Sequence, residues 1–302
     1  MSSNWVMVLC AVGFTSAWCF WEADLLWFEQ GFIFGVLIAA GVWGWLKASP
    51  HKLHPLYLRN NAGIGLVRAA FWAAMIWCTF TVFFFGDSTI TGLWHLWYLI
   101  MAYGVIKIFG ILGAQFLGVR LRVDVLERGN FAAAMFIAAF VFSTGLIAGG
   151  SMWGESTPES MEFGAFFEIL PSYDDGSWII AWFFLMGWLV LFLTMKLWFI
   201  REKAVSSSGI RRDRDEADAK AASLYCLACA IPITDAVAGD YYGLQDSFLG
   251  FAVIAIPVLA HEFLRPSSAE APRDPQEPWL YIAFGLVAMM SSTILSIMLG
   301  FR

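Results

Sequence analysis

The chain has 302 residues, of which 60% are hydrophobic, 17% aromatic and only 14% charged, with a mean hydropathy of +0.69. This excludes an ordinary soluble globular domain and describes an all-helical protein, a polytopic transmembrane bundle. The formal net charge of -6 comes without any cluster of Lys and Arg among interleaved aromatics, so nucleic acid is not an expected partner.

Apolar runs occur in order at residues 5–21, 31–46, 63–86, 92–119, 131–150, 177–200, 221–239, 247–264 and 279–301, which predicts about nine spans. A helix needs about 20 residues to cross the hydrocarbon layer, and the first two runs, of 17 and 16 residues, are the shortest. They fit either two spans or one re-entrant or interfacial hairpin. The opening MSSNW lacks the basic flank of a cleaved signal peptide, so the first run is read as part of the protein. The whole of 1–302 reads as a single integral membrane domain. It divides into a short N-terminal hairpin (1–50), repeat-like helices (63–150), an outer acidic loop (151–176) and a second set of helices (177–302).

Charge alternates from loop to loop. The segments 47–62, 120–130, 201–220 and 265–278 hold 14 of the 18 Lys and Arg, whereas the intervening loops carry Asp and Glu instead. The positive-inside rule makes the basic loops cytoplasmic. With nine spans the N-terminus lies in the cytoplasm. The outer loop fits either an amphipathic surface helix carrying Met161, Phe166, Ile169 and Leu170 or a solvated acidic loop.

One charged corner recurs. Residues 59–71 read RNNAGIGLVRAAF and residues 128–140 read RGNFAAAMFIAAF, so that a shift of 69 matches Arg59 with Arg128, Asn61 with Asn130, and Phe71 with Phe140. A fainter third copy begins near Glu216. The chain is therefore expected to be built from repeated helical hairpins joined at cytoplasmic corners. Asn61 and Asn130 can cap the free N–H groups of an outgoing helix, and the preceding Arg can reach lipid phosphate or an acidic neighbour such as Glu127. Arg59, Asn61, Glu127, Arg128 and Asn130 are thus read as caps and corners rather than ligands.

Charges inside a bilayer are the candidates for a functional path. Lys107, 15 residues after Gly92 and 13 before Arg120, is the deepest. Asp235 lies about 7–8 Å inside the outer boundary at 1.5 Å per residue, with Pro232 in the same helix and Pro257 interrupting the next. Proline-broken membrane helices often line polar sites, so Lys107, Pro232, Asp235 and Pro257 form the candidate pathway. A Lys107–Asp235 pair is mismatched in depth by about 10 Å, a gap the lysine stem bridges only in part.

Other polar residues have simpler readings. His95 and His261 stand at opposite membrane faces, which argues against a bis-His haem, and His51 and His54 in HKLH read as solvated. Cys226-x-x-Cys229 sits in an apolar helix and reads as small packing residues. Gly31-x-x-x-Gly35 and Gly145-x-x-x-Gly149 read as helix-packing faces. No cofactor, metal site, phosphate loop or nucleophile motif is expected.

The residues LERGNFAAAMFIAAFVFSTGLIAGG, followed by an acidic outer loop and SWIIAWFFLMGWLVL, resemble the YjfL-like family of small bacterial inner-membrane proteins. Glu127, Gly129, Asn130, Ala132, Ala133 and Ala134 carry the resemblance. It extends over residues 90–200 and more weakly over 200–265, where Asn130 has no counterpart and Glu216 alone is retained. The resemblance implies topology and a bacterial inner (cytoplasmic) membrane location but no reaction, since that family's function is unknown.

Three classes of function fit these features. Small-residue faces, abundant aromatics and few buried charges favour a scaffold or accessory subunit, whose partners are the bilayer and other membrane subunits or a second copy of the chain. A channel or carrier along the Lys107–Asp235 pathway is the alternative. An enzyme ranks last because no catalytic set is visible.

Overall fold

The computed structural model describes residues 61–86, 93–154, 176–202, 209–238, 244–265 and 276–298. Arg59, the two short N-terminal runs, His51, His54 and residues 155–175 of the outer acidic loop lie outside the described residues.

Every regular element among the described residues is helical. In chain order they are α1 (Ala62–Phe84), α2 (Leu93–Val105) and α3 (Ile111–Phe116), α4 (Phe131–Ser151), α5 (Gly176–Arg201), α6 (Glu216–Ala236), α7 (Leu244–Leu264) and α8 (Glu277–Met298). A π-helical turn, Ile106–Gly110, joins α2 to α3 in one rod, and two more, Leu121–Glu127 and Gly209–Asp213, precede α4 and α6. By length and composition four stretches can cross a membrane: Ala62–Phe84, Trp94–Phe116, Phe131–Ser151 and Ile180–Arg201. Shorter apolar helices cover Phe251–Leu264 and Glu277–Ala288. Helix α6, which holds Glu216, Asp218, Lys220 and Asp235, is not among the four.

The bundle is organised around α4. Its most apolar window is 78% buried, against 28–44% for the other three candidate spans. The sequence FAAAMFIAAFVFSTGLIAGGS is apolar around its whole circumference, as a helix enclosed on all sides must be. Its small residues let neighbours come close. A Cβ on Gly145 would stand 2.2 Å from the Cβ of Ala74 on α1, and one on Gly150 would stand 2.5 Å from the carbonyl oxygen of Thr234 on α6. Gly110, in the π turn of the rod, is approached by Val141 in the same way, at 3.0 Å.

Polar bonds reinforce the α1–α4 contact. The Trp77 indole donates to the Leu146 carbonyl at 3.1 Å, and the Cys78 thiol reaches the Gly145 carbonyl at 3.5 Å. At the end of the pair, Phe85 stacks on Trp153 while Gly154 N–H donates to the Phe85 carbonyl. The outer faces are apolar too. Trp72, Ile76, Phe84, Trp182 and Leu189 are exposed, as befits surfaces that meet lipid or other helices.

Candidate functional site

The best-defined polar structure is the set of corners that start α1, α4 and α6. At each, one side chain accepts from the first free N–H groups, as an N-cap does. Asn61 Oδ1 accepts from Ile64 N at 3.3 Å, Asn130 Oδ1 from Ala133 N at 3.1 Å, and Asp215 Oδ1 from Ala217 N at 2.8 Å and Asp218 N at 3.2 Å. The residue before the cap is left-handed in the second and third corners, Gly129 at φ 64° and Arg214 at φ 57°.

The two asparagines also use their amide N–H groups. Asn61 Nδ2 donates to the Val125 carbonyl at 2.8 Å, and Asn130 Nδ2 donates to the Ile210 carbonyl at 2.7 Å and the Arg211 carbonyl at 3.2 Å. Val125 precedes Asn130 by five residues, and Ile210 precedes Asp215 by five. Each asparagine therefore caps its own helix and grips the π turn that leads into the next cap. An aspartate can accept but has no N–H to give, so Asp215 caps α6 without extending the series. The sequence placed the third corner at Glu216, with no counterpart of Asn130. The structure puts the cap one residue earlier, on Asp215, because a carboxylate oxygen caps as well as an amide oxygen.

Asp124 holds the second and third corners together. Its side chain is fully buried and accepts from Arg120 N at 2.7 Å, with Arg211 Nε at 3.1 Å and Arg128 Nη1 at 3.5 Å. The Arg214 guanidinium adds a bond to the Arg128 carbonyl at 3.0 Å. Arg128 thus turns to Asp124, one turn back, rather than to its chain neighbour Glu127, which pairs with Arg122 at 3.2 Å. Adjacent residues on a helical turn point apart, whereas i and i+4 face each other. Asp124 was missed in the sequence, where the visible signal was a carboxylate spaced four residues from both Arg120 and Arg128. Beyond this node, the Asp218 carboxyl is held above its ordinary range, first by burial and then by Asp215, Asp213 and Glu202.

Replacing Asp124 by Asn keeps the volume and removes the charge facing Arg211 and Arg128. Both arginines are partly exposed and can rehydrate, so the expected loss is about 1.5–3 kcal/mol, the range for hydrogen bonds to a charged group. A detergent thermal-unfolding series with Asp124→Asn and Arg211→Gln in a double-mutant cycle measures it. Strictly additive losses would mean that the two residues do not interact.

The expected membrane pathway is distributed over separate interfaces. Lys107 lies in the π turn of the rod, half-buried, donating from Nζ to the Tyr103 hydroxyl at 3.1 Å with its ammonium 5.1 Å from that ring's centre. Tyr103 in turn meets Phe71 of α1 edge-on. Asp235 is buried in the last turn of α6, so the two charges sit on different neighbours of α4. Pro232 is buried where α8 crosses, with Gly285 so close that a Cβ there would lie 2.8 Å from Pro232 N. Pro257 on α7 is exposed.

A second polar cluster, also missed in the sequence, joins α5, α6, α7 and α8. The hydroxyl of Tyr225, fully buried, donates to Glu262 Oε2 at 2.6 Å, and Glu262 is itself fully buried. Tyr225 stacks on Trp198 and meets Tyr281 edge-on. The Arg201 guanidinium donates to the carbonyls of Phe263 and Arg265, tying the end of α5 to the end of α7. Glu262 stands beside a histidine at the end of an apolar run, and in sequence that pattern is indistinguishable from an interfacial anchor.

Cys226 packs against Ser143 at 3.4 Å, and His95 stacks on Phe83. Among the described residues no group of three or more His, Cys, Asp or Glu is placed to hold a metal. The chain matches no protein-family model, no curated protein and no solved structure.

Proposed function

We propose that the chain is a structural subunit of a bacterial inner-membrane complex, a scaffold whose interlocked core presents apolar helices to lipid and to partner subunits or a second copy. The observation that carries this reading is the packing around α4, where Gly145 and Gly150 bring Ala74 and Thr234 to contact distance. Gly145 and Gly150 thus bring α1 and α6 into close contact with α4, and in lipid such small-residue contacts are what hold helices together. The recurring Asn61 and Asn130 corners fit repeated hairpins with basic cytoplasmic turns. The likeness of Glu127, Gly129 and Asn130 to the YjfL-like family agrees with that topology.

A carrier is the second reading, favoured by one observation. Lys107 lies in a π turn inside an apolar rod, and such turns recur at functional sites. Purification in mild detergent and reconstitution into liposomes separates the two. The scaffold reading expects stable co-purifying subunits or a defined homo-oligomer, and no ion flux. Flux that disappears in Asp235→Asn or Lys107→Met would replace it with the carrier.

A further inference from the structure

The cluster between α7 and α8 is graded from dry to wet. At its buried end the Tyr225 hydroxyl is bonded to Glu262, and the Tyr225 ring meets Tyr281 edge-on. At its open end Tyr281 is bonded to Nδ1 of His261, whose side chain is 51% exposed. The same Nδ1 stands 3.8 Å from Glu277 Oε1, an atom sealed from solvent, while the other oxygen of Glu277 faces Arg265 Nε at 3.7 Å. One carboxylate at the first residue of α8 is thus shared between two cation positions near the end of α7. Arg265 is charged at any working pH, whereas His261 is charged only after taking up a proton.

We propose that His261 and Glu277 form a proton-operated latch between the end of α7 and the start of α8. Proton uptake at the exposed imidazole adds an attraction to the buried oxygen of Glu277, which α8 carries, and so draws the two helix ends together. The sign follows from the charges: the latch is tighter with the imidazole protonated and looser with it neutral. Tyr281 orients the ring through Nδ1 and anchors it to the Tyr225–Glu262 pair on α6 and α7. Arg201 fixes the carbonyls beside it, so the movable part is the α7–α8 junction itself. This inference does not depend on whether the chain is a scaffold or a carrier.

The test is amide hydrogen exchange on the purified full chain in mild detergent at about pH 5.5 and about pH 8. Rates are corrected for the intrinsic pH dependence of exchange. Protection in the last turn of α7 and the first turn of α8 should rise about two- to five-fold on acidification, as expected for one partly exposed ion pair, with protection in α4 unchanged. His261→Asn and Glu277→Gln should each abolish the response, and Tyr281→Phe should reduce it. Equal protection at both pH values in the wild-type chain, or a response that persists in His261→Asn, would overturn the proposal. The wild-type comparison decides the matter even where a variant folds poorly.

Discussion

Asn130→Ala should be among the most damaging single substitutions in the chain. Asn130 is fully buried, caps α4 at Ala133 N and gives its amide N–H groups to the carbonyls of Ile210 and Arg211. Losing the cap costs about 1 kcal/mol, and stranding the buried carbonyl of Ile210 adds about 1–3 kcal/mol. The sum should appear as a clear fall in the detergent unfolding midpoint. Asn130→Asp sharpens the test. By capping preference alone aspartate equals asparagine, yet it cannot donate to Ile210 and turns a second oxygen toward that carbonyl. We expect it to be at least as harmful as the alanine variant. An aspartate variant as stable as wild type would show that the bridge between corners contributes nothing. Asn61→Ala should have a smaller effect, because Asn61 is only half-buried and bonds a single carbonyl.

The second large effect is expected at the glycines of α4. Gly150→Ala would put a methyl group 2.5 Å from the Thr234 carbonyl oxygen, and Gly145→Ala one 2.2 Å from the Ala74 Cβ and 3.1 Å from its Cα. Neither obstacle is the end of a flexible side chain, so whole helices must move apart. Overpacking of this kind costs about 1–3 kcal/mol, sometimes more, and should lower both the unfolding midpoint and the monodisperse fraction in size-exclusion chromatography. Gly65→Ala supplies the control. Nothing lies within 4 Å of its new methyl group, and replacing an exposed helical glycine gains up to about 1 kcal/mol. If Gly150→Ala and Gly65→Ala behaved alike, α4 and α6 would not be in the close contact described.

How much of this was legible in the sequence differs from residue to residue. Asn61 and Asn130 each accept from a backbone N–H three positions on, and a cap of that kind is legible because it depends on residues only three positions apart. Their second role was hidden, since the carbonyls they bridge to lie 64 and 80 positions away. Asp215 was hidden as a cap because the recurring corner is written with asparagine, while the geometry asks only for an acceptor. Lys107 and Asp235 were both picked out as rare charges in apolar helices, but hydropathy carries no information on which helix each one faces. The same limit hid Asp124 and Glu262. A carboxylate near a basic helix end looks solvated until the segment that covers it is known.

The sequence by itself determined that the protein is helical and built for a bilayer, and where the capped helices begin. Hydropathy and capping are local properties that survive in any arrangement of the helices. Only the tertiary structure decided that α4 is the centre of the described bundle, that Asp124 joins two corners and that Tyr225 seals Glu262. Lipid and protein interior are equally apolar, so an outward-facing helix and an enclosed one are written in the same residues. What separates them is the close approach that Gly145 and Gly150 permit, and this exists only once Ala74 and Thr234 are in place beside them.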